Sequence, residues 1–402
     1  MTRTDGKPRL AKAYLRLWWA TGIDHFGTGA FTAAVPLLTV TVTRDPRLVS
    51  LVATAEYLPW LLLSLPAGSL ADRYDRAGLM WRAQAVQAAL AGTTAVLVAC
   101  GGASIPLLVV TAFGIGAGDV VFGTAAQAIL PDLVAKPLLP RANGRQQAIT
   151  TFTVQFAGPP AGSLLFGVAA ALPFGLDAVS FAVSAALVAT LPRRARGVRP
   201  RAGLREGVAW LARHRLLRTV ALLLGVNTFG GQLANVTLVL LATEVLHVDA
   251  RGYGVLLAGA ALGSVLGGLV SARVVGRIGN LPALLTALTV NVGAFAGIGL
   301  SSGAVVLGAF LALNGFVTTL WNVVTAGLRQ EFVPSALLGR VTSAYRLAGW
   351  GLIPVGTLTG GLVAHGLGLR APYLVAAAVR GIALVVALPV LIRALRTDRG
   401  FS

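Results

Sequence analysis

Three carboxylates sit where carboxylates are expensive. Asp24, Glu56 and Asp119 each fall within a long, predominantly apolar run. A charged acid in a bilayer core costs several kcal/mol unless it is paired or hydrated, so acids retained there usually line cavities and handle ions or substrate. Leaving water also favours the neutral form of a carboxyl, which lets it take a proton from one side and release it to the other. The chemistry on offer is proton coupling by Asp24, Glu56 and Asp119. For Asp24 the alternative is a neutral, purely structural acid bonded to His25 or Thr28. At ~1.5 Å per residue, Asp24 would lie roughly 12–15 Å from the start of its span.

A second chemistry is hydrogen bonding to a solute. Asn314, Thr318, Trp321, Asn322 and Thr325 recur at i, i+4, i+7, i+8 and i+11, which is one helix face. Asn227, Gly231 and Asn235 fall in register on another run, with Gln232 adjacent. Thr21, His25, Thr28 and Thr32 form a third stripe, and Gln147, Thr151 and Gln155 a fourth. One polar face per apolar helix suits a substrate cavity. Thr28, Thr32, Gln155, Asn227, Gln232, Asn235, Asn314, Thr318, Trp321 and Asn322 are the expected lining. Hydrogen bonding between packed helices is the competing account.

The elements that carry these residues are membrane helices. The 402 residues are 56% hydrophobic and 12% charged, with a mean hydropathy of +0.78. Soluble chains carry about twice that charge fraction. The runs are continuously apolar and not alternating, which argues against a β-barrel. Twelve spans are expected, near 16–42, 48–71, 78–100, 104–130, 145–168, 172–192, 217–243, 252–276, 281–301, 303–327, 340–366 and 372–393. The net charge of +19 is distributed in loops, so it reads as membrane topology and not as a nucleic-acid surface. With the N-terminus inside, the cytoplasmic side receives all cations except Arg44, Arg47, Arg251, Arg370 and the intramembrane Arg380. Both termini are therefore expected in the cytoplasm. Trp18 and Trp19 read as interface anchors. Glu244 and Asp177 read as acids near outer ends, close to water.

The chain also repeats itself. "GIDHFGTG" from Gly22 aligns with "GVNTFGGQ" from Gly225 at an offset of 203, placing Asp24 on Asn227 and Gly27 on Gly230. "AGPPAGSLLFG" around Pro159 echoes "LIPVGTLTGGL" around Pro354. Two parallel six-span halves, 1–192 and 217–402, are expected around a basic cytoplasmic linker, 193–216. Within the linker Leu204, Val208 and Leu211 suggest an amphipathic helix lying on the inner membrane face. Parallel halves with a midplane site between them suit a rocking transporter. Gly259, Gly263 and Gly267 form a close-packing face.

At "GSLADRYDR", Gly68 to Arg76, the sequence resembles the major facilitator superfamily, whose loop signature between spans two and three it matches except at Asp75, where a glycine is usual. That departure, with "AQAILPDLV", "ANGRQQA" and "LPFGLDAVSFAVSA", is similar to the bacterial drug and siderophore exporter branch. The resemblance implies an all-α fold of twelve transmembrane helices in two six-helix bundles. It also implies a gating loop of Gly68, Asp72, Arg73 and Arg76. Asp72 would face the helix start near Leu338, and Arg73 or Arg76 would pair with Asp132 or Asp119. "AGPPAGS" resembles the end of the antiporter signature, with Gly158, Pro159 and Gly162 matching and Ser163 replacing a glycine; these residues would bend the helix and let it pack closely. The span-four arginine of many proton antiporters is absent from "GIGAGDVVFG".

The expected activity is secondary active transport by alternating access, proton-coupled efflux of a small amphipathic compound such as an antibiotic or siderophore. The alternatives are an importer or facilitator of a lipid, sugar or metabolite, and a membrane-embedded enzyme. No phosphate-binding loop, metal-spaced ligand cluster or nucleophile elbow occurs, so no cofactor or metal is expected. The expected partners are the solute, protons and the bilayer, with the protein a monomer of the inner membrane and no nucleic acid involved.

Overall fold

Long runs of Ala, Leu, Val and Gly must satisfy their backbone groups internally once water is excluded, and the helix does this within one segment. A computed structural model of the chain describes residues 10, 12–192, 204–334 and 337–398, and among the described residues every regular element is helical. The first half holds α1 (Lys12–Val42), α2 (Pro46–Arg73), α3 (Arg76–Ala99), α4 (Ile105–Leu133), α5 (Leu139–Thr151), α6 (Gly158–Val168) and α7 (Leu172–Ala189). A short helix, α8 (Leu204–Arg213), precedes α9 (Arg215–Asn235) and the one-turn α10 (Leu238–Leu240). Then come α11 (Ala250–Ile278), α12 (Asn280–Gly299), α13 (Ala304–Phe332), α14 (Leu338–Trp350), α15 (Ile353–Leu367) and α16 (Ala371–Asp398).

Among the described residues nine helical stretches are long and apolar enough to cross a membrane. The stretches of α2, α3 and α5–α6 fall outside that set. They carry Glu56 and Arg73, Gln84 and Gln87, and the polar "PRANGRQQ", which lower their hydropathy. Outward faces are apolar: Leu222, Val255, Leu269 and Val386 are all exposed by two thirds or more. That surface suits lipid.

Local chemistry sets the helix ends. Asp75 caps α3 by accepting from the Gly78 N–H at 2.7 Å, and Asp249 does the same for α11 at Gly252, 2.8 Å. The departure from glycine at position 75 thus has a local reason: an acid satisfies a free N–H and favours the positive helix end. Asp75→Ala is expected to cost about 1 kcal/mol, and Asp75→Ser to restore most of it, both read by thermal melting of the purified protein. At the other ends, Gly279 (φ 84°) and Gly368 (φ 92°) turn the chain after α11 and α15 in a region that residues with a Cβ avoid.

The chain divides into two compact units, Met1–Val42 with Ala55–Arg199, and Thr43–Thr54 with Pro200–Ser402. In the first, α1 packs on α6 and α7, and α3 on α4. In the second, α9 packs on α15 and α16, and α12 on α13. Those are corresponding helices of the sequence repeat, so the echo extends to how helices pair. Tyr14, Leu17, Met80 and Phe122 anchor one core; Leu217, Leu284, Trp321 and Leu391 anchor the other.

Segment 43–54 belongs with the second unit. Thr54 Oγ1 lies 2.8 Å from Thr357 Oγ1, and Arg44 pairs with Glu244 at 3.4 Å. The Arg47 guanidinium, bonded to Asp45, holds that carboxyl down at about 2. Asp45 therefore stays ionised through the physiological range, 3.6 Å from His365 Nδ1.

One expectation changes. Residues 193–203 lie outside the described residues, but α8 is not simply a membrane-surface helix. Leu211 joins the protein core, Glu206 pairs with Arg340, and a Cβ at Gly207 would stand 2.5 Å from the Arg340 carbonyl oxygen. Val208 keeps an exposed side chain, at 45%, while the Leu204 side chain is outside the described set. Trp18 donates its indole N–H to the Arg145 carbonyl at 3.1 Å, and Trp19 is exposed, at 56%.

Candidate functional site

In the first unit the acids are held by glutamines. Gln84 and Gln87 stand one turn apart on α3 and are both fully buried. The Gln84 amide nitrogen donates to Asp24 Oδ1 at 3.1 Å and to Ser184 Oγ at 2.7 Å. The Ser184 hydroxyl donates in turn to the Ala20 carbonyl at 3.0 Å. Gln87 donates to Asp119 Oδ1 at 2.8 Å and to the Ile115 carbonyl at 3.0 Å. His25 Nδ1 lies 2.7 Å from Asp24 Oδ2. Asp24 is 2% exposed and meets little water: Oδ1 accepts from Gln84, and Oδ2 has the His25 ring nitrogen in close contact without hydrogen-bond geometry. A neutral amide donor suits either state of a carboxyl, because it adds no charge of its own. Glu56 lies beside the Thr32 hydroxyl. Its backbone carbonyl would collide with a Cβ at Gly116, so the bare glycine brings α4 against α2 there.

Asp177 departs from expectation. Placed near water by its sequence position, it is fully buried, and neither carboxyl oxygen has a hydrogen-bond partner among the described residues. It stands opposite Gly27, where a Cβ would approach Asp177 Oδ1 to 2.6 Å.

Gly158, Pro159 and Gly162 do what their types dictate. A six-residue π-helix, Phe152–Ala157, interrupts the helix between α5 and α6, and Pro159 sits in the first turn of α6, where its missing N–H is not needed. Inserted π turns recur at functional positions. Gly158 and Gly162 then touch α1 backbone to backbone: an added Cβ at Gly158 would stand 2.6 Å from Gly29 Cα, and one at Gly162 would overlap the Ala30 carbonyl oxygen. Gly263 and Gly267 likewise meet the backbone of Ala312 and Phe316, whereas Gly259 meets nothing. Gln155 lies in the π segment and is exposed. Thr32 donates to the Thr28 carbonyl at 2.8 Å, and the Thr28 hydroxyl is buried without a partner among the described residues.

Arg76 donates to Asp132 at 2.6 Å and to the Ala128 carbonyl at 3.0 Å, so the acid it selects is Asp132 and not Asp119. Arg73 is exposed. A Cβ at Gly68 would meet nothing within 4 Å. The Asp72 side chain lies outside the described residues.

In the second unit the two polar stripes meet. Asn227, Gln232 and Asn235 on α9 face Asn314, Thr318, Trp321 and Asn322 on α13 across a cavity of about 270 Å³. Thr325 instead turns its hydroxyl to the Asn322 carbonyl at 3.3 Å and is buried. The lining also includes residues outside the expected set, among them Asn291 and Phe295 on α12, and Arg380 on α16. Arg380 is 6% exposed. Its Nη1 donates to Asn291 Oδ1 and its Nη2 to the Asn227 carbonyl at 2.6 Å. Its guanidinium lies 3.7 Å from the Phe295 ring centre. Asn291 in turn donates to Asn314 Oδ1 at 2.9 Å. One signal in the sequence points to this arrangement. The offset of 203 that relates Gly27 to Gly230 also relates Asp177 to Arg380. Each of the two lies opposite its glycine, since a Cβ at Gly230 would stand 3.1 Å from Arg380 Nε.

The sequence profile of the transmembrane secretion effector family matches residues 7–399. The chain belongs to this family, a branch of the major facilitator superfamily. Its relatives include the multidrug efflux pump Tap of Mycobacterium tuberculosis (strain ATCC 25618 / H37Rv), 28% identical over 392 residues, covering 90% of this chain and 89% of Tap. The enterobactin exporter EntS of Citrobacter koseri is 27% identical, covering 93% of this chain and 89% of EntS. The fold is shared with a bacterial homologue of the iron transporter ferroportin in its inward-facing state, with a TM-score of 0.72, 18% identity, and 95% and 99% of the two chains covered. The chain is thus a multi-pass inner-membrane transporter and not an enzyme.

Proposed function

We propose that the protein exports a small amphipathic compound, such as an antibiotic or siderophore, in exchange for protons. The direction is supported by the family and by relatives that bear the names of a multidrug efflux pump and an enterobactin exporter. Coupling is supported by one observation above the rest: Asp24 and Asp119 are held by neutral glutamine donors and not neutralised by arginine or lysine. An acid paired with a fixed cation would stay charged; an acid on an amide is free to exchange its proton. On this reading Asp24, Glu56 and Asp119 carry protons, His25 relays to Asp24, and the polar faces of α9 and α13 hold the solute.

The same reading assigns twelve crossings with both termini in the cytoplasm, because the cations concentrate on one side of that topology. It assigns bundles 1–192 and 217–402 joined by linker 193–216, in a protein that works as a monomer. Asp72, Arg73 and Arg76 form the cytoplasmic gating loop, with Gly68 leading in.

The test is transport in everted vesicles from an expressing strain that is otherwise drug-sensitive. Accumulation of a fluorescent amphipathic dye should rise when the vesicle interior is acidified and collapse on adding a protonophore. Accumulation indifferent to the pH gradient would remove the coupling, and loss of internal dye under the same gradient would reverse the direction.

A further inference from the structure

We infer that the second unit's cavity is an anion-recognising subsite, in which Arg380 receives an acidic group on the transported molecule. This rests on the reading of the cavity as a solute site and adds the chemical class of its ligand. Arg380 has five N–H donors and a charge that it keeps in proteins. Two donors go to Asn291 and to the Asn227 carbonyl, and Nε, though buried, has no acceptor among the described residues. Among the described residues no carboxylate forms an ion pair with it. A buried cation without a counter-charge is costly. The usual structural solution, an acid beside the cation, is missing from the cavity: among the described residues α9, α12 and α13 line it with amides, hydroxyls, aromatic rings, a glycine and aliphatic side chains.

Two lipid-topology explanations fail on position. The side chain does not snorkel to a water interface, because its guanidinium packs on Phe295 and faces the cavity. Nor is it a loop cation, since it lies at the tenth residue of the 28-residue α16. What remains is a charge aimed at an occupant. The lining completes the description of that occupant. Asn314, Asn322, Gln232 and Thr318 can donate to or accept from polar substituents, while Trp321 and Phe295 offer ring faces. A volume of about 270 Å³ is near the low end for ligand pockets, so it suits one acidic ring or head group better than a whole large molecule. The ligand class is an amphipathic organic anion: a carboxylate, phenolate or sulfonate carried on an aromatic or apolar body.

The experiment uses the purified full-length protein and matched acid and amide probes: benzoate and benzamide, 1-naphthoate and 1-naphthamide, indole-3-acetate and indole-3-acetamide. Calorimetry reads the binding constant of each, with sodium chloride and sodium sulfate as separate arms. A hydrogen-bonded charge pair of this kind is expected to favour at least one acid over its amide by about 10- to 100-fold. Arg380→Gln, which keeps a donor but removes the charge, should erase that preference, and Arg380→Lys should restore part of it. Amide binding should change little in either variant. If no acid outbinds its amide in the unmodified protein, the proposal fails, whether or not the variants fold. It fails equally if chloride or sulfate alone occupies the site in an Arg380-dependent way while acid and amide remain equal, because the occupant is then an inorganic ion. Equilibrium binding does not depend on direction or coupling, so a failure of proton-driven export in vesicles would leave this result readable.

Discussion

Asp24→Asn is expected to abolish pH-gradient-driven efflux and leave the protein folded. The amide keeps the shape of the acid and can still accept from Gln84, whose nitrogen lies 3.1 Å from Asp24 Oδ1. The chain itself contains the precedent for folding: Asn227 occupies the repeat-equivalent position, and its helix α9 is intact. What is lost is the exchangeable proton and the carboxylate that faces His25 Nδ1 at 2.7 Å. Dye accumulation in everted vesicles should fall to the protonophore background, while the melting temperature moves by no more than a few degrees. Unaltered gradient-driven accumulation in that variant would take Asp24 out of the mechanism. Gln84→Leu provides a companion measurement. It strips the donor from both Asp24 and Ser184 and should shift the pH at which transport is half-maximal, which a residue that merely fills space would not do.

The second large effect is structural. Gly162→Leu should prevent assembly of the first bundle. Even one added carbon at position 162 would overlap the Ala30 carbonyl oxygen and lie 2.6 Å from Ala30 Cα. Those are backbone atoms of a helix and cannot rotate aside. Overpacking a close-packed interior costs about 1–3 kcal/mol per inserted group, and here α1 would have to move away from α6 as a whole. Gly162→Ala should therefore lower the melting temperature measurably, and Gly162→Leu should replace the monodisperse peak in gel filtration by aggregate. Gly175→Ala is the control, because a Cβ there meets nothing within 4 Å. A Gly162→Leu protein that elutes and melts like the unmodified one would mean that α1 and α6 do not touch as described.

Periodicity alone makes part of the site legible in the sequence. The 3.6-residue repeat puts Asn314, Thr318, Trp321 and Asn322 on one face, and they do line one cavity with the α9 stripe. The reason is simple: in an apolar helix a polar residue stands out, and its face follows from its number. The acids stand out in the same way. Partners are harder, because they are settled by tertiary contact. Gln84 and Gln87 lie in plain view in an apolar run, but only the packing of α3 against α1, α4 and α7 matches them to Asp24, Asp119 and Ser184. Asn291 is a lone amide among aliphatics and gives no periodic signal. Asp177 is misread from sequence because distance along the chain from a loop is a poor measure of contact with water. It sits only five residues into α7, yet α1 covers it.

The two bare crossings at Gly27 and Gly230 have a consequence for how such a chain can diversify. Neither glycine contributes a side chain to its crossing, so the space opposite is left to small neighbours, Ser180 in one copy and Ala376 in the other. One duplicate has filled that slot with an acid and the other with a guanidinium, Asp177 and Arg380. A slot that holds an acid in one copy and a guanidinium in the other, opposite the same glycine of the repeat, is an adjustable socket. On the proposed reading of the second unit's cavity, exchanging the one residue at position 380 would alter which cargo is preferred while the duplicated framework stands.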